Sequence, residues 1–487
     1  MFVVACVMFA ALVSPMPAAA AQWHEVRTED FHIISVVGTR QTRRIVDDVL
    51  LYQGGMGKAL KHMDVRPKLP TTVLLLNARL WNQYMPLGPG KAGVVYARPA
   101  AIDVVVNADS WLSASPIVFH ELTHVVLHQN ARGKRLPAWY NEGYADFFST
   151  LRKKGDSLDV GLPPWWRWLS LKQRPWMPLQ QVLTVDQGSR EYQEDRLAEA
   201  FYAASWLMIH YGMFENSQRS QQLERYRTLL SEGLSQQRAL QLAFPDGLDE
   251  FDKELQAYGK RTKFNYFNLA LPEIARIDAD AIVPLAEADA MNALVAAMLV
   301  ANFTGNEQLR LVSGLAAHAA PDSVAMMQLA AVHEARNEGA QALALAEKGC
   351  AATPSNVRVA MLCGEVYYQS AYLPQATAEQ RDAYIKNARR HYEFVLNAEP
   401  DNVAGLLSMS RTMEFAPLAD NKAREGLERL WQRSLRTAEI AYSIAWLYSV
   451  DDLHKSKDYL EQALLLAQSP TMERMILDRL HYVESAL

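Results

Sequence analysis

Cysteine is nearly absent: the chain has three in 487 residues, Cys6, Cys350 and Cys363. That excludes a zinc ribbon and a disulfide-dense scaffold, both of which need clustered cysteines. A strong charge of either sign is also missing, with a net charge of −5 and a pI near 6.2. No run of Lys and Arg is interleaved with aromatic residues, so nothing points to a nucleic-acid partner. The apolar run Phe2 to Val13 is too short to cross a bilayer as a helix. What remains is the composition of a folded soluble protein, with half its residues apolar and 21% charged. The length calls for two or three domains.

The same N-terminal run is followed by 17-PAAAAQ-22, whose small residues suit signal peptidase. The pattern predicts an export signal over 1–21, cleaved after Ala21, although no Lys or Arg precedes it. The mature chain is then expected in the periplasm or secreted, with only Cys350 and Cys363 left.

Four short stretches read as strands: 31-FHIIS-35, 71-TTVLLLN-77, 93-GVVYA-97 and 102-IDVVVN-107. Residues 38–63 have helical periodicity, which Gly54 and Gly55 are expected to interrupt. Helical patterns dominate beyond Ser113, broken by the loop 161-GLPPWWRWLSLKQRPWMPL-179. The fold class expected for residues 22–262 is α+β, a small mixed sheet (about 22–110) followed by a helical half (about 111–262). Residues 263–487 are expected to form an all-α repeat tail. Prolines 321, 354, 400 and 470 follow helical runs at intervals of 33, 46 and 70 residues. These fit a repeat of 34 residues, the tetratricopeptide period, with one insertion and one missing proline. In that register Ala388 and Tyr392 take the small and aromatic positions of a second helix, and Gly364 and Tyr367 those of a first helix. Cys363 falls at a buried leucine-like position and Cys350 near the end of the preceding helix. Both are therefore expected as small buried residues rather than as a bonded pair. Such a tail would bind a protein partner or the substrate.

The chemistry concentrates in 116-PIVFHELTHVVLHQN-130, a helix with Ser113 or Ser115 as its cap and Pro116 in its first turn. His120 and His124 lie about 6 Å apart along that helix, on one face, so both can reach one ion. His128 lies about 12 Å from His120 and is excluded from the same ion. Glu121 hangs beside the first histidine, where a general base must sit to take a proton from a metal-activated water. A catalytic zinc also needs a third protein ligand and an open position. Glu142 in 137-PAWYNEGYADFFS-149 can supply it, and Asp146 can hydrogen-bond the free ring nitrogen of a ligand histidine.

HELTH followed by NEGYAD resembles the gluzincin (peptidase MA-like) zinc metallopeptidases. Seventeen residues separate His124 from Glu142, close to the spacing of the aminopeptidase branch. The third-histidine signature of metzincins is missing. So is a Gly-x-Met-Glu-Asn segment, which makes endopeptidase action the expectation over amino-terminal trimming. The resemblance implies a zincin-like catalytic domain with Zn2+ on His120, His124 and Glu142. It implies Glu121 as the base and Tyr202 of 199-EAFYAASWLMIHYG-212 as donor to the oxyanion. It also implies an edge strand at 91-KAGVVYA-97 that pairs with substrate through Gly93 and Val94. The tryptophans Trp165, Trp166, Trp168 and Trp176 fit a local core, a lip of the cleft, or a membrane-touching surface. The function expected is that of an exported zinc peptidase. The alternative is a non-catalytic scaffold or envelope-assembly factor with a structural or vestigial zinc site.

Overall fold

The stretch 71-TTVLLL-76 carries apolar residues at successive positions, which suits a strand covered on both faces. The structure is a computed structural model of the protein. It describes residues 22–85, 91–98, 100–109, 113–131, 136–186, 188–273, 278–300, 314, 323–352, 356–415, 420–433, 436–467 and 470–487. The expected export signal, and Pro321 and Pro354 of the tail, lie outside these residues.

The main sheet contains β1 (Trp23–Arg27), β2 (Phe31–Ser35), β3 (Thr71–Leu76), β4 (Gly93–Ala97), β5 (Ile102–Asn107) and β9 (Val283–Leu285). Their order is β4-β5-β3-β2-β1-β9. The strands β2, β3 and β5 run parallel, and β4 pairs antiparallel with β5 as an outer strand. Val73, Leu75, Val104 and Val106 face α1 (Thr39–Ala59) and α3 (Ala114–Asn130). Leu74, Leu76 and Val105 face α2 (Ala78–Tyr84) and α12 (Glu287–Val300). The double cover explains why β3 and β5 show no polar alternation.

The helical half contains α4 (Ala138–Ser149), α5 (Trp165–Gln173), α6 (Leu179–Thr184), α7 (Arg190–Gln193) and α8 (Asp195–Phe214). It continues through α9 (Ser217–Ser231), α10 (Gln236–Ala243) and α11 (Asp249–Gly259). A small sheet of β6 (Arg152–Lys154), β7 (Ser157–Val160) and β8 (Phe267–Ala270) lies beside it.

Two expectations change here. Helix α1 runs unbroken through Gly54 and Gly55, because a side chain at Gly55 would collide with Leu151 and Leu158. The glycine serves close packing rather than a turn. The boundary at 262 also fails, since β8 pairs with β7, β9 with β1, and α12 covers the sheet. The first unit extends to Val300.

The rest is helical. Hairpins pair Ser323–Ala335 with Gly339–Ala352, Val357–Ser370 with Ala378–Ala398, Val403–Arg411 with Asn421–Gln432, and Ala438–Tyr448 with Leu453–Leu466. Helix Pro470–Ala486 closes the array. The first helices start at Ser323, Val357, Val403 and Ala438, at intervals of 34, 46 and 35 residues. The expected positions agree: a side chain at Gly364 would strike the Tyr392 ring, and Ala388 and Tyr392 are fully buried.

The cysteine expectation is corrected. Cys350 and Cys363 form a disulfide with Cα atoms 6.0 Å apart, joining two consecutive helices. The reason is geometric: consecutive helices of the array bring two distant register positions within bonding reach. A closed loop of this size stabilises a fold by about 3 kcal/mol. Adding a reductant should therefore lower the urea midpoint of helical unfolding. Followed by far-UV circular dichroism, an unchanged midpoint would show that the bond contributes nothing.

Candidate metal centre and substrate cleft

Helix α3 is held from two sides. Ile117, Val118, Phe119, Leu122 and Val125 to Leu127 are buried against the sheet and α1. The Tyr52 ring of α1 stacks on Phe119 at 4.7 Å, and Tyr52 OH shares a 2.7 Å hydrogen bond with Thr123 Oγ1. Ser115 Oγ donates to Asp48 Oδ2 (2.6 Å), while Ser113 occupies the cap position without a side-chain bond. These contacts fix the remaining face of α3, which carries His120, Glu121 and His124.

Helix α4 is placed by Gly143. A Cβ there would sit 2.6 Å from Ser205 O and from Ile209 Cγ1, so only glycine allows α4 this close to α8. The approach brings Glu142 Oε2 to 3.3 Å from His120 Nε2 and 3.7 Å from His124 Nε2. The three ligand atoms all lie within 4.8 Å of one another. Atoms about 2.0–2.1 Å from a tetrahedral zinc are separated by about 3.4 Å, close to the distances from Glu142 to each histidine. His128 is exposed on α3 and outside the trio, as helical spacing requires.

Around the trio the chain supplies orientation. Asp146 Oδ1 lies 3.2 Å from His120 Nδ1, which leaves Nε2 as the ligand nitrogen. Asp146 in turn accepts from Arg167 Nε of α5 at 2.6 Å. Tyr192 OH of α7 donates to Glu142 Oε1 at 2.7 Å. Tyr202 of α8 lies beside Tyr192, ring centroids 5.8 Å apart, with the Arg167 guanidinium 4.8 Å over its ring. The Asn141 side chain lies beside the His124 ring and opposes its lowering by burial.

Glu121 lies outside the ligand trio and points to the sheet edge. A Cβ on Gly93 would come within 2.7 Å of Glu121 Oε1 and of Ile117 Cγ2. The register refines the edge-strand expectation. Asn107 N donates to Ala92 O and Arg98 N to Ala101 O, so Ala92, Val94, Tyr96 and Arg98 bond inward to β5. Gly93, Val95 and Ala97 present their main-chain groups to the open edge. Val94 is thereby replaced by Val95 as the partner of Gly93.

Burial opposes charge throughout this cluster. It lifts Glu121 to about 7, with the Glu142 charge adding to the rise and His120 opposing it. It would lift Glu142 as well, but the two histidines hold that carboxyl at about 2. Asp146 is likewise kept low against burial by Arg167 and His120. Burial would lower His120, but its bonds to Asp146 and Glu142 raise it to about 10. His124 is lowered by burial.

These groups line a cavity of about 670 Å3 together with Gly93, Val95, Trp166, Arg167, Tyr192 and Tyr202. Trp166 is thus part of a cleft lip. Trp165 is 57% exposed, whereas Trp176 packs against the core with Met177 and Leu179 buried beside it. No described helix is long and apolar enough to cross a membrane.

No protein-family model matches the chain, and no curated protein matches it. Among solved structures it is similar to TTC0263, a thermophilic TPR protein of Thermus thermophilus. The match has a TM-score of 0.31 and 19% identity, covering 41% of this chain and 98% of that one. It is also similar to human IFIT1, solved as a dimer with m7Gppp-AAAA. That match has a TM-score of 0.33 and 16% identity, covering 60% of this chain and 70% of that one. Both likenesses concern fold alone.

Sequence reasoning missed Tyr192 and Arg167. Neither belongs to a periodic motif, and their contacts span 50 and 21 residues.

The geometry makes two outcomes measurable. Protonated His120 competes with a metal, and its proton is held up to about 10. Zinc affinity should therefore rise with pH, about tenfold per unit below that value. Chelator competition between about pH 6 and 9 measures this, and a flat profile would contradict it. The substitution Gly143→Val should push α4 off α8, costing about 1–3 kcal/mol. It should also weaken zinc binding by displacing Glu142, as read by denaturant unfolding and by metal titration.

Proposed function

We propose that this chain is an exported zinc peptidase of the gluzincin type, cutting peptide bonds internally rather than trimming amino termini. The observation that carries the reading is Glu121, a buried carboxylate that lines the cleft yet stands outside the ligand trio. A closed structural metal site has no use for such a group. The free edge of β4 beside it adds weight, because an extended peptide can pair there. The disulfide fits an oxidising compartment outside the cytosol.

His120, His124 and Glu142 would hold the zinc, which when bound polarises a water and the scissile carbonyl. Asp146 keeps the His120 ring turned with Nε2 toward the ion, and Tyr192 fixes the unused oxygen of Glu142. Gly93 and Val95 bind the substrate backbone as an added strand. Glu121 takes the proton of the attacking water and hands it to the leaving amine. Burial raises its carboxyl above the usual carboxylate range, which strengthens it as a base. Tyr202 donates to the oxygen on which charge develops, where one bond contributes about 3 kcal/mol. Trp166 and the α5 lip shield the cleft from solvent. The repeat tail binds a protein partner or the substrate itself.

The substitution Glu121→Gln separates this reading from a non-catalytic scaffold. Zinc content should stay at one ion per chain, while cleavage of a mixed peptide library falls by about 100-fold to 10,000-fold. Zinc-loaded wild type that cleaves nothing would sink the peptidase reading and leave the scaffold.

A further inference from the structure

The cleft is not built from the first unit alone. Its lining includes Arg436, Thr437, Ala438, Glu439 and Leu466, all from the hairpin Ala438–Tyr448 and Leu453–Leu466 or the turn before it. These elements are rigidly placed within the array. The Thr437 side chain caps the first helix by accepting from Ile440 N, and the Arg436 guanidinium lies 5.3 Å over the Trp431 ring. Ala438, Ile440, Ala441 and Ile444 are buried in the repeat core.

The end of the cleft that these residues occupy can be located. Gly93, at the start of β4, rests on Glu121 beside the ligand trio. Strand β4 then runs to Ala97, and the turn after it includes Ala100. Ala100 and Leu69, the residue two before β3, pack against the repeat core. The repeats therefore meet the first unit at the far end of β4. At about 3.4 Å per residue, Gly93 and Ala97 are about 14 Å apart along the strand. A cavity of about 670 Å3 also has the size of a small-ligand pocket, not of a groove for a folded segment.

We propose that the helical repeats form the end wall of the cleft and restrict the substrates to short peptides or chain ends, cut at an internal bond a few residues from the end rather than trimmed one residue at a time. On the walled side, no more than about four or five residues of extended chain fit between the scissile bond and the wall. This rests on the peptidase reading above, and it adds a substrate class to it. Arg436 and Glu439, on the walled side, set the reach.

The test uses full-length zinc-loaded protein and one unstructured peptide of about 20 residues, long enough to pass the roughly five-residue limit several times. The peptide is offered free, or fused at both ends to small folded domains. Mass spectrometry should find the free peptide cut within five residues of one end. The doubly fused form should be cut at least 100-fold more slowly. In the double variant Arg436→Ala/Glu439→Ala the cuts should move inward from that end. Equal rates for the two forms, or cuts at the middle of the free peptide, would overturn the wall. If nothing is cut, the peptidase reading fails separately, and binding decides on the wall. Fluorescence anisotropy with Glu121→Gln protein should then show the free peptide bound at least tenfold more tightly than the doubly fused one. Equal affinities would overturn the proposal in that case too.

Discussion

Three carboxylates are buried around one cleft: Glu121 at 9%, Glu142 at 3% and Asp146 at 1% exposure. Burying an ion is costly unless an opposite charge or several donors compensate it. The chain compensates two of the three. Arg167 and His120 flank Asp146, and His120, His124 and Tyr192 surround Glu142. No Arg or Lys forms an ion pair with Glu121 among the described residues, and its carboxyl rises accordingly. A divalent ion at the trio would supply the missing positive charge. It would also displace the proton that otherwise holds His120 and Glu142 together.

The packing of the helical half brings these groups together. His120 and His124 come from one helix and Glu142 from a second, which packs closely on α8. Gly143 permits the approach of α4 to α8, and Tyr52 with Thr123 fastens α3 to α1. The candidate trio thus stands on elements whose other faces are locked in the core, the arrangement a metal site would need. Gly93 repeats the device on the sheet side. It removes a side chain so that the edge strand can lie against the carboxylate.

Much of this was legible in the sequence because helical periodicity fixes relative position. The spacing of His120 and His124, the exclusion of His128, and the shared face of Glu142 and Asp146 all follow from about 3.6 residues per turn. The spacing of the repeats was legible for a similar reason, since each hairpin spends a fixed number of residues. Contacts made across loops were not. Tyr192 and Arg167 reach the site from segments without a pattern, and β8 and β9 are short and largely exposed, so they carry no buried alternation. The disulfide depends on a distance between helices, which no spacing rule expresses. Strand register decided between Val94 and Val95, and it is visible only once the hydrogen-bond partners of β4 are known.

The repeats are consequently not an appendage to a self-sufficient first unit. Leu74, Leu76 and Val105 lie on the outer face of the sheet and are fully buried because α12 covers them. Val332 of the first hairpin joins the same cluster. Asn292 O of α12 accepts from Gln328 of that hairpin and from Arg358 of the next, so the helix bonds onward into the array. Further along, Leu69 and Ala100 rest on the repeat core. The sheet, the cleft and the repeats thus share buried surface at both ends of the array. Cooperative units are set by such shared burial rather than by sequence boundaries. A helical array joined in this way shares its packing with the sheet that carries β4.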